Sequence, residues 1–340
     1  MDAKITKKRL SRMLSYDWLK MVLAAAAIII VWTLIFTMTA TRITPAQQYT
    51  VFNYDGNRPF SMTKFNKVYD DAFDRDIFSH EVIKATSYDM TTTGSNLHTV
   101  MDSRLQTDEG DAIFVSKEGD PDFPIKDDDG NVIGYEYTYL QTFVMRYGYY
   151  LYDINDYLDY MKKYLNKYYI DENGNPDYEN GVLNEEKVEQ DFRTREKNDK
   201  RFKTEKQKKA GVKKDIERIQ KYRDALVQFY KYLNEDKVIS LEYTTIKMEN
   251  EKGEEETLLD NVAYSINLCP NAETMGGLKN YAAYTKMVVD EQTGKKHNVE
   301  SAENMQLCLF KLKGVNKNFV GENLIFINEM VRLSLEATKK

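Results

Sequence analysis

The chain has 340 residues, with 48 Lys and Arg against 54 Asp and Glu, for a net charge of −6. Its first twenty residues carry six positive and two negative charges, net +4, which leaves −10 on the remainder and argues against a nucleic-acid binder. An aromatic share of 12 %, including 25 Tyr, excludes a disordered chain even though 30 % of residues are charged.

Residues 21–40 read Met-Val-Leu-Ala-Ala-Ala-Ala-Ile-Ile-Ile-Val-Trp-Thr-Leu-Ile-Phe-Thr-Met-Thr-Ala, and no charge falls between Lys20 and Arg42. Twenty helical residues cover roughly 30 Å, the thickness of a hydrocarbon core, and a helix satisfies its own backbone there. Before the run stand Lys4, Lys7, Lys8, Arg9, Arg12 and Lys20 against Asp2 and Asp17, whereas only Arg42 and Arg58 follow it before Lys64. That asymmetry keeps the N-terminus in the cytoplasm. A cleaved signal peptide needs a shorter apolar region and small residues three apart at the cut, which Met38 and Ala40 fit poorly. The organisation expected is a basic cytoplasmic tail (1–20), a single-pass signal anchor (21–41) that holds the bilayer, and an extracytoplasmic domain (47–340).

In that domain, residues 48–55 alternate, are rich in β-formers and stop at Gly56, so they read as a first strand. A helix over 61–74 follows, with Met62, Phe65, Val68, Tyr69 and Phe73 at helical spacing. Residues 81–90 make a second strand, a helix then carries Leu97, Val100, Met101 and Leu105, and residues 111–116 make a third strand. Strands alternating with helices imply parallel βαβ units in an α/β layer. Residues 124–133 suggest a hairpin turning at Asp129-Gly130. A helical stripe runs from Leu140 to Leu165, split by Gly148 and an Asn155 cap. Residues 171–177 form a turn-rich loop, and 184–234 read as helix throughout, with an apolar face only from Val212 on. Strands are expected at 238–248, 258–268, 281–289 and 305–312, then a final helix from about Asn318.

Three stretches together resemble the type II solute-binding proteins of bacterial ABC importers. The first, residues 49–116, ends in Leu-Gln-Thr-Asp-Glu-Gly-Asp-Ala-Ile-Phe-Val-Ser; the second is Gly-Tyr-Tyr-Leu-Tyr-Asp-Ile-Asn-Asp-Tyr-Leu at 148–158; the third is Ala-Tyr-Ser-Ile-Asn-Leu at 263–268, with the strand and helix after Glu303. The resemblance implies an α/β fold of two lobes with a helical insertion, and a protein that binds a polar solute such as a carbohydrate by lobe closure, beside a transporter. Two departures stand out: a spanning helix replaces the family's lipidated cysteine, and residues 160–235 are charged helix where the second lobe would begin. A platform that keeps the fold but binds an envelope protein is therefore the alternative.

In open α/β sheets ligands sit outside the carboxyl ends of the strands, which selects Asn53, Tyr54 and Asp55, Tyr88 and Asp89, and Ser116 as candidate ligand-binding residues. Asp127, Asp128 and Asp129 and the loop at 171–177 lack EF-hand spacing and read as turns. His80, His98 and His297 are too scattered for a zinc pattern, and no nucleophile motif is present, so no metal, cofactor or enzymatic activity is expected. Cys269 and Cys308 lie in apolar runs and allow one disulfide or two buried thiols. Between Arg193 and Lys214 eleven Lys and Arg face three acidic residues, with Phe202 the one aromatic; this reads as a solvated helix face.

Overall fold

A computed structural model of the chain describes residues 7–39, 48–54, 78–79, 82, 84–90, 96–249, 255–289, 295–311 and 321–339. The chain divides into two compact units, Met1–Thr44 and Pro45–Lys340. The first is helix α1 (Lys7–Thr39), in which Trp18–Phe36 is apolar and long enough to cross a membrane or to serve as a signal sequence. Its side chains from Trp18 to Phe36 are all exposed, as a lipid-facing helix requires. The Thr33 hydroxyl donates to the Ile29 carbonyl at 2.7 Å, so this polar group stays satisfied without water.

The second unit is built on one six-stranded sheet. Strands β1 (Gln48–Asn53), β2 (Lys84–Asp89) and β3 (Ala112–Val115) are parallel, with β1 in the middle. Antiparallel β12 (Gln306–Leu309) joins β3, and β9 (Glu255–Asn267) and β8 (Ser240–Glu249) complete the order β2-β1-β3-β12-β9-β8. The remaining strands form three two-stranded ribbons: β4 (Pro124–Lys126) with β5 (Val132–Tyr135), β6 (Tyr169–Ile170) with β7 (Val182–Leu183), and β10 (Tyr284–Val289) with β11 (Lys296–Ser301).

Strand alternation decides which helices cover which face. Tyr49, Val51, Ala112, Phe114, Leu307 and Leu309 point into one core, whereas Phe52, Ile113, Val115 and Cys308 point into the other. The second core is closed by α2 (Leu97–Gln106), through Leu97, Met101 and Leu105, and by α3 (Tyr139–Tyr147), through Leu140, Phe143, Val144 and Tyr147. The first and larger core is closed by α4 (Ile154–Leu165), α6 (Glu205–Tyr230) and the C-terminal helix α7 (Glu322–Thr338). Helix α5 (Glu185–Arg195) packs beside α6 through Val188 and Phe192. The result is a helix–sheet–helix sandwich.

Several expectations change. Two lobes were expected, but Pro45–Lys340 is one compact unit, and among its described residues the only sheet of more than two strands is the six-stranded one. The single helix expected over 184–234 breaks at 196–204, where Asp199 and then Thr204 cap new helical starts. Its first part is not merely solvated, because Val188 and Phe192 are buried. Asp153, not Asn155, caps α4: its carboxylate accepts the Asn155 N–H at 2.9 Å. Both cysteines are free thiols: Cys308 on β12 lies in the smaller core, whereas Cys269, two residues past β9, lies in the larger. The helix expected at 61–74 and the turns near Gly253 and Gly294 lie outside the described residues.

Gly110 carries a backbone requirement of the fold. It turns the chain into β3 with φ of +112°, and a Cβ there would meet the Phe52 ring at 2.3 Å.

Candidate functional site

The chain passes from β1 to β2 on one side and then to β3 on the other, so the crevice between the carboxyl ends of β1 and β3 is a topological switch point. A cavity of about 380 Å³ opens there, lined by Tyr54, Leu97, His98, Asp120, Asp122, Phe123, Tyr139, Thr142, Met145 and Arg146. Tyr54 is the residue after β1, His98 lies in the first turn of α2, Asp120 to Phe123 lie on the loop after β3, and the last four are on α3.

The supports of these side chains follow from local sequence. Thr138 and Gln141 form a reciprocal capping box at the start of α3, the Thr138 hydroxyl accepting the Gln141 N–H at 3.3 Å and the Gln141 side chain accepting the Thr138 N–H at 2.9 Å. One turn on, the Thr142 hydroxyl donates to Asp120 Oδ2 at 2.8 Å, while Asp120 Oδ1 accepts the Asp122 N–H at 3.0 Å. Asp120 is thereby fixed with each oxygen engaged once, and a carboxylate has acceptor capacity beyond that for an outside donor. The Tyr54 ring packs against Phe143 in a T-shaped contact at 4.7 Å, and Tyr54 lines the cavity.

On the opposite wall the Tyr147 hydroxyl and His98 Nδ1 are 3.1 Å apart. Burial, with the charge of Asp102 behind it, raises the Tyr147 phenol to about 12 against the opposing pull of Arg146, so it is un-ionised at neutral pH. Arg146 lines the cavity and lies 3.7 Å from Asp102, a loose pair with both partners nearly half exposed. The wall thus presents aromatic faces with anionic, cationic and hydroxyl groups, a set that orients a polar molecule through a few directional contacts.

Of the six residues selected from sequence, Tyr54 lines this cavity. Asn53 and Asp89 meet each other instead, Asn53 Nδ2 donating to Asp89 Oδ1 at 3.3 Å, and Asn53 is buried. Tyr88 lies beneath the Arg104 guanidinium at 3.7 Å. Ser116 is fully buried and its hydroxyl has no hydrogen-bond partner among the described residues. Asp55 lies outside the described residues. The strand-end rule therefore finds the right edge of the sheet, while most of the lining comes from the 120–123 loop and α3, which it does not reach. A signal for these residues was present in the Thr138-x-x-Gln141 cap, which marks the helix start that aims Thr142 and Arg146.

Among the described residues no group of three or more His, Cys, Asp or Glu is arranged to hold a metal ion. Asp127 and Asp171 instead build matching turns: each accepts the N–H two residues on and the N–H and side-chain amide of an Asn four residues on. Those hydrogen bonds hold both carboxyls below the usual range. No family model, no curated protein and no solved structure matches this chain.

Proposed function

We propose that this is a membrane-anchored, extracytoplasmic binding protein that takes a polar solute such as a carbohydrate into the cavity at the carboxyl edge of β1 and β3. The observation that carries the reading is the combination at that switch point of aromatic walls (Tyr54, Phe123, Tyr139) with the fixed carboxylate of Asp120 and the cation of Arg146. Aromatic faces suit the C–H faces of a sugar ring, and Asp120 and Arg146 supply an acceptor and donors for its hydroxyls. The resemblance of residues 49–116 and of the closing strand and helix to type II solute-binding proteins supports the same reading, with a transporter or another envelope protein as partner. The α1 helix supplies the anchor in a bacterial plasma membrane, its basic end cytoplasmic. No catalytic role is assigned.

Lobe closure is not needed for this reading, because one sheet edge carries all of the lining. The test is thermal unfolding of the full chain in lipid nanodiscs against sugars, oligosaccharides, amino acids and peptides. A solute at a hundred times its dissociation constant stabilises by about 2.7 kcal/mol. The shift should vanish in Asp120→Ala and in Arg146→Ala. A shift that survives both replacements, or none with any class, refutes the assignment.

The alternative, a platform for an envelope protein, has one observation in its favour. The β4–β5 ribbon beside the cavity exposes Ile125, Val132, Ile133 and Tyr135, with Ile133 at 66 % of its full accessibility. Capture of one stoichiometric partner that is lost on Ile133→Asp, with no solute effect, would favour it.

A further inference from the structure

The edge of the sheet opposite the cavity carries a different chemistry. Strand β12 ends with Leu309 opposite Ala112, the first residue of β3, and so ends at the amino-terminal edge of β1 and β3. Asn323, at the start of α7, accepts the Tyr49 hydroxyl at 2.9 Å, and Phe326 reaches Phe114 further up the sheet. Helix α7 therefore runs from the amino edge towards the carboxyl edge. Helix α6 runs in the same sense, because Tyr222 donates to Glu322 and the Ala225 carbonyl accepts from Asn328. Residues 205–214 precede Tyr222 by 8 to 17 positions, or about 12–25 Å of helix. That end of α6 overhangs the amino edge, where β1 begins.

The overhanging end is a lysine stripe. Gly211, Val212 and Asp215 face inward and are buried, which turns Lys206, Lys209 and Lys213 outward at positions i, i+3 and i+7, with Ala210 on the same face. Arg193, Arg195 and Arg201 have carboxylate partners in Glu189 and Glu205, Glu196 and Asp215, and Asp199. The stripe is otherwise: Lys213 has only Glu217 at 4.0 Å, with both side chains more than half exposed, and Lys206 and Lys209 have no acidic partner among the described residues. Exposed Lys197, Lys203 and Lys214 flank it. Long flexible cations without carboxylate partners, aligned on one face, suit a diffuse sheet of negative charge better than a single anion, which would select an arginine fork.

We propose that the Lys206–Lys209–Lys213 face docks on the anionic phospholipid headgroups of the membrane that α1 spans. Only residues 40–47 lie in sequence between the end of α1 and β1, and β1 starts at the edge of the sheet from which this face projects. The inference rests on α1 acting as an anchor, not on the identity of any solute.

Each lysine close to an anionic surface favours docking by about five-fold, so three contribute on the order of 100-fold. The test reconstitutes the full chain, labelled with a fluorophore at Ala210→Cys, in vesicles of neutral phosphatidylcholine alone or with 30 % phosphatidylglycerol, and reads energy transfer to a headgroup acceptor. Efficient transfer is expected only on the anionic vesicles. It should fall at high salt and be abolished in the triple variant Lys206→Glu, Lys209→Glu, Lys213→Glu. Far-ultraviolet dichroism of that variant checks folding, and Lys206→Gln with Lys209→Gln should lie between the two. Equal transfer on both vesicles, or transfer that survives charge reversal, overturns the proposal, as does full release of the chain by carbonate, which removes the anchor as well. Transfer that appears only when an acidic polypeptide or nucleic acid is added would assign the face to that partner and overturn lipid docking.

Discussion

Asp111 makes the stability of the domain depend on pH in a direction opposite to that of most carboxylates. It sits just before β3, where it accepts the Thr50 N–H at 2.6 Å, and burial, reinforced by the charge of Glu322, raises its carboxyl from 3.8 to about 7. In the unfolded chain the same group ionises near pH 4. Below that pH both states are protonated and the group contributes no difference. Between pH 4 and pH 7 the folded chain holds a proton that the unfolded chain has released, so stability falls as pH rises, and the loss is complete above pH 7. At about 1.36 kcal/mol per pH unit the full loss is about 4 kcal/mol, an upper bound because Asp111 keeps some contact with water. For a unit of this size that is about 6 °C in the unfolding midpoint. Glu322, facing Ser79, Tyr222 and Arg218, is raised by the same cause and adds a slope of the same sign. Thermal unfolding of the full chain in nanodiscs from pH 5 to pH 8 should therefore show a falling midpoint. Asp111→Asn, which can still accept from Thr50, should flatten most of the fall and be the more stable protein at pH 8. An unchanged slope in Asp111→Asn would refute the reasoning.

Other consequences follow from single contacts. Gly110→Ala places a methyl group 2.3 Å from Phe52 at φ of +112°, and should cost about 1–3 kcal/mol in chemical denaturation. Tyr222→Phe removes the hydroxyl that donates to Glu322 at 2.7 Å and should destabilise by about 1–3 kcal/mol, less at pH 5, where Glu322 is more protonated. Cys269, raised to about 11 by burial, and Cys308, raised further, should resist a thiol reagent at pH 8 and react only after unfolding; prompt labelling of the native protein would contradict their placement. Asp215→Asn should destabilise more than Arg201→Ala, by about 3–5 kcal/mol against less than 1, because Asp215 is the carboxylate at 2.5 Å from the buried Arg218 whereas the Arg201 pair is exposed.

How far the molecule is legible in its sequence depends on whether the deciding interaction is local. The strands at 48–53, 84–89 and 112–115 and the helix at 97–106 announce themselves because period-2 and period-3.6 apolar patterns are written within each segment. Their parallel pairing follows from the alternation of strand and helix, and with it the edge of the sheet on which a cavity lies. What lies beyond is decided by contacts distant in the chain. Nothing near Gln306 states that β12 enters between β3 and β9, which joins β8, β9 and β12 to the sheet of β1, β2 and β3. The charged stretch from Arg193 reads as solvated for a related reason. Its carboxylate partners Glu205 and Asp215 stand 12 and 20 residues from the arginines they meet, and the ring of Phe192 is buried by a helix that has not yet begun. The cavity shows the same division. Tyr54 is found by its place after β1, whereas Asp120 belongs to the site only because Thr142, 22 residues later, donates to it from a helix whose capping box aims that face at the loop. The ends of the sheet therefore differ in origin as well as in charge. The carboxyl edge acquires its lining from the 120–123 loop and from α2 and α3 folded back upon it, and the amino edge acquires its lysines from one helix whose inward face, Val212 and Asp215, leaves Lys206, Lys209 and Lys213 no position except towards solvent.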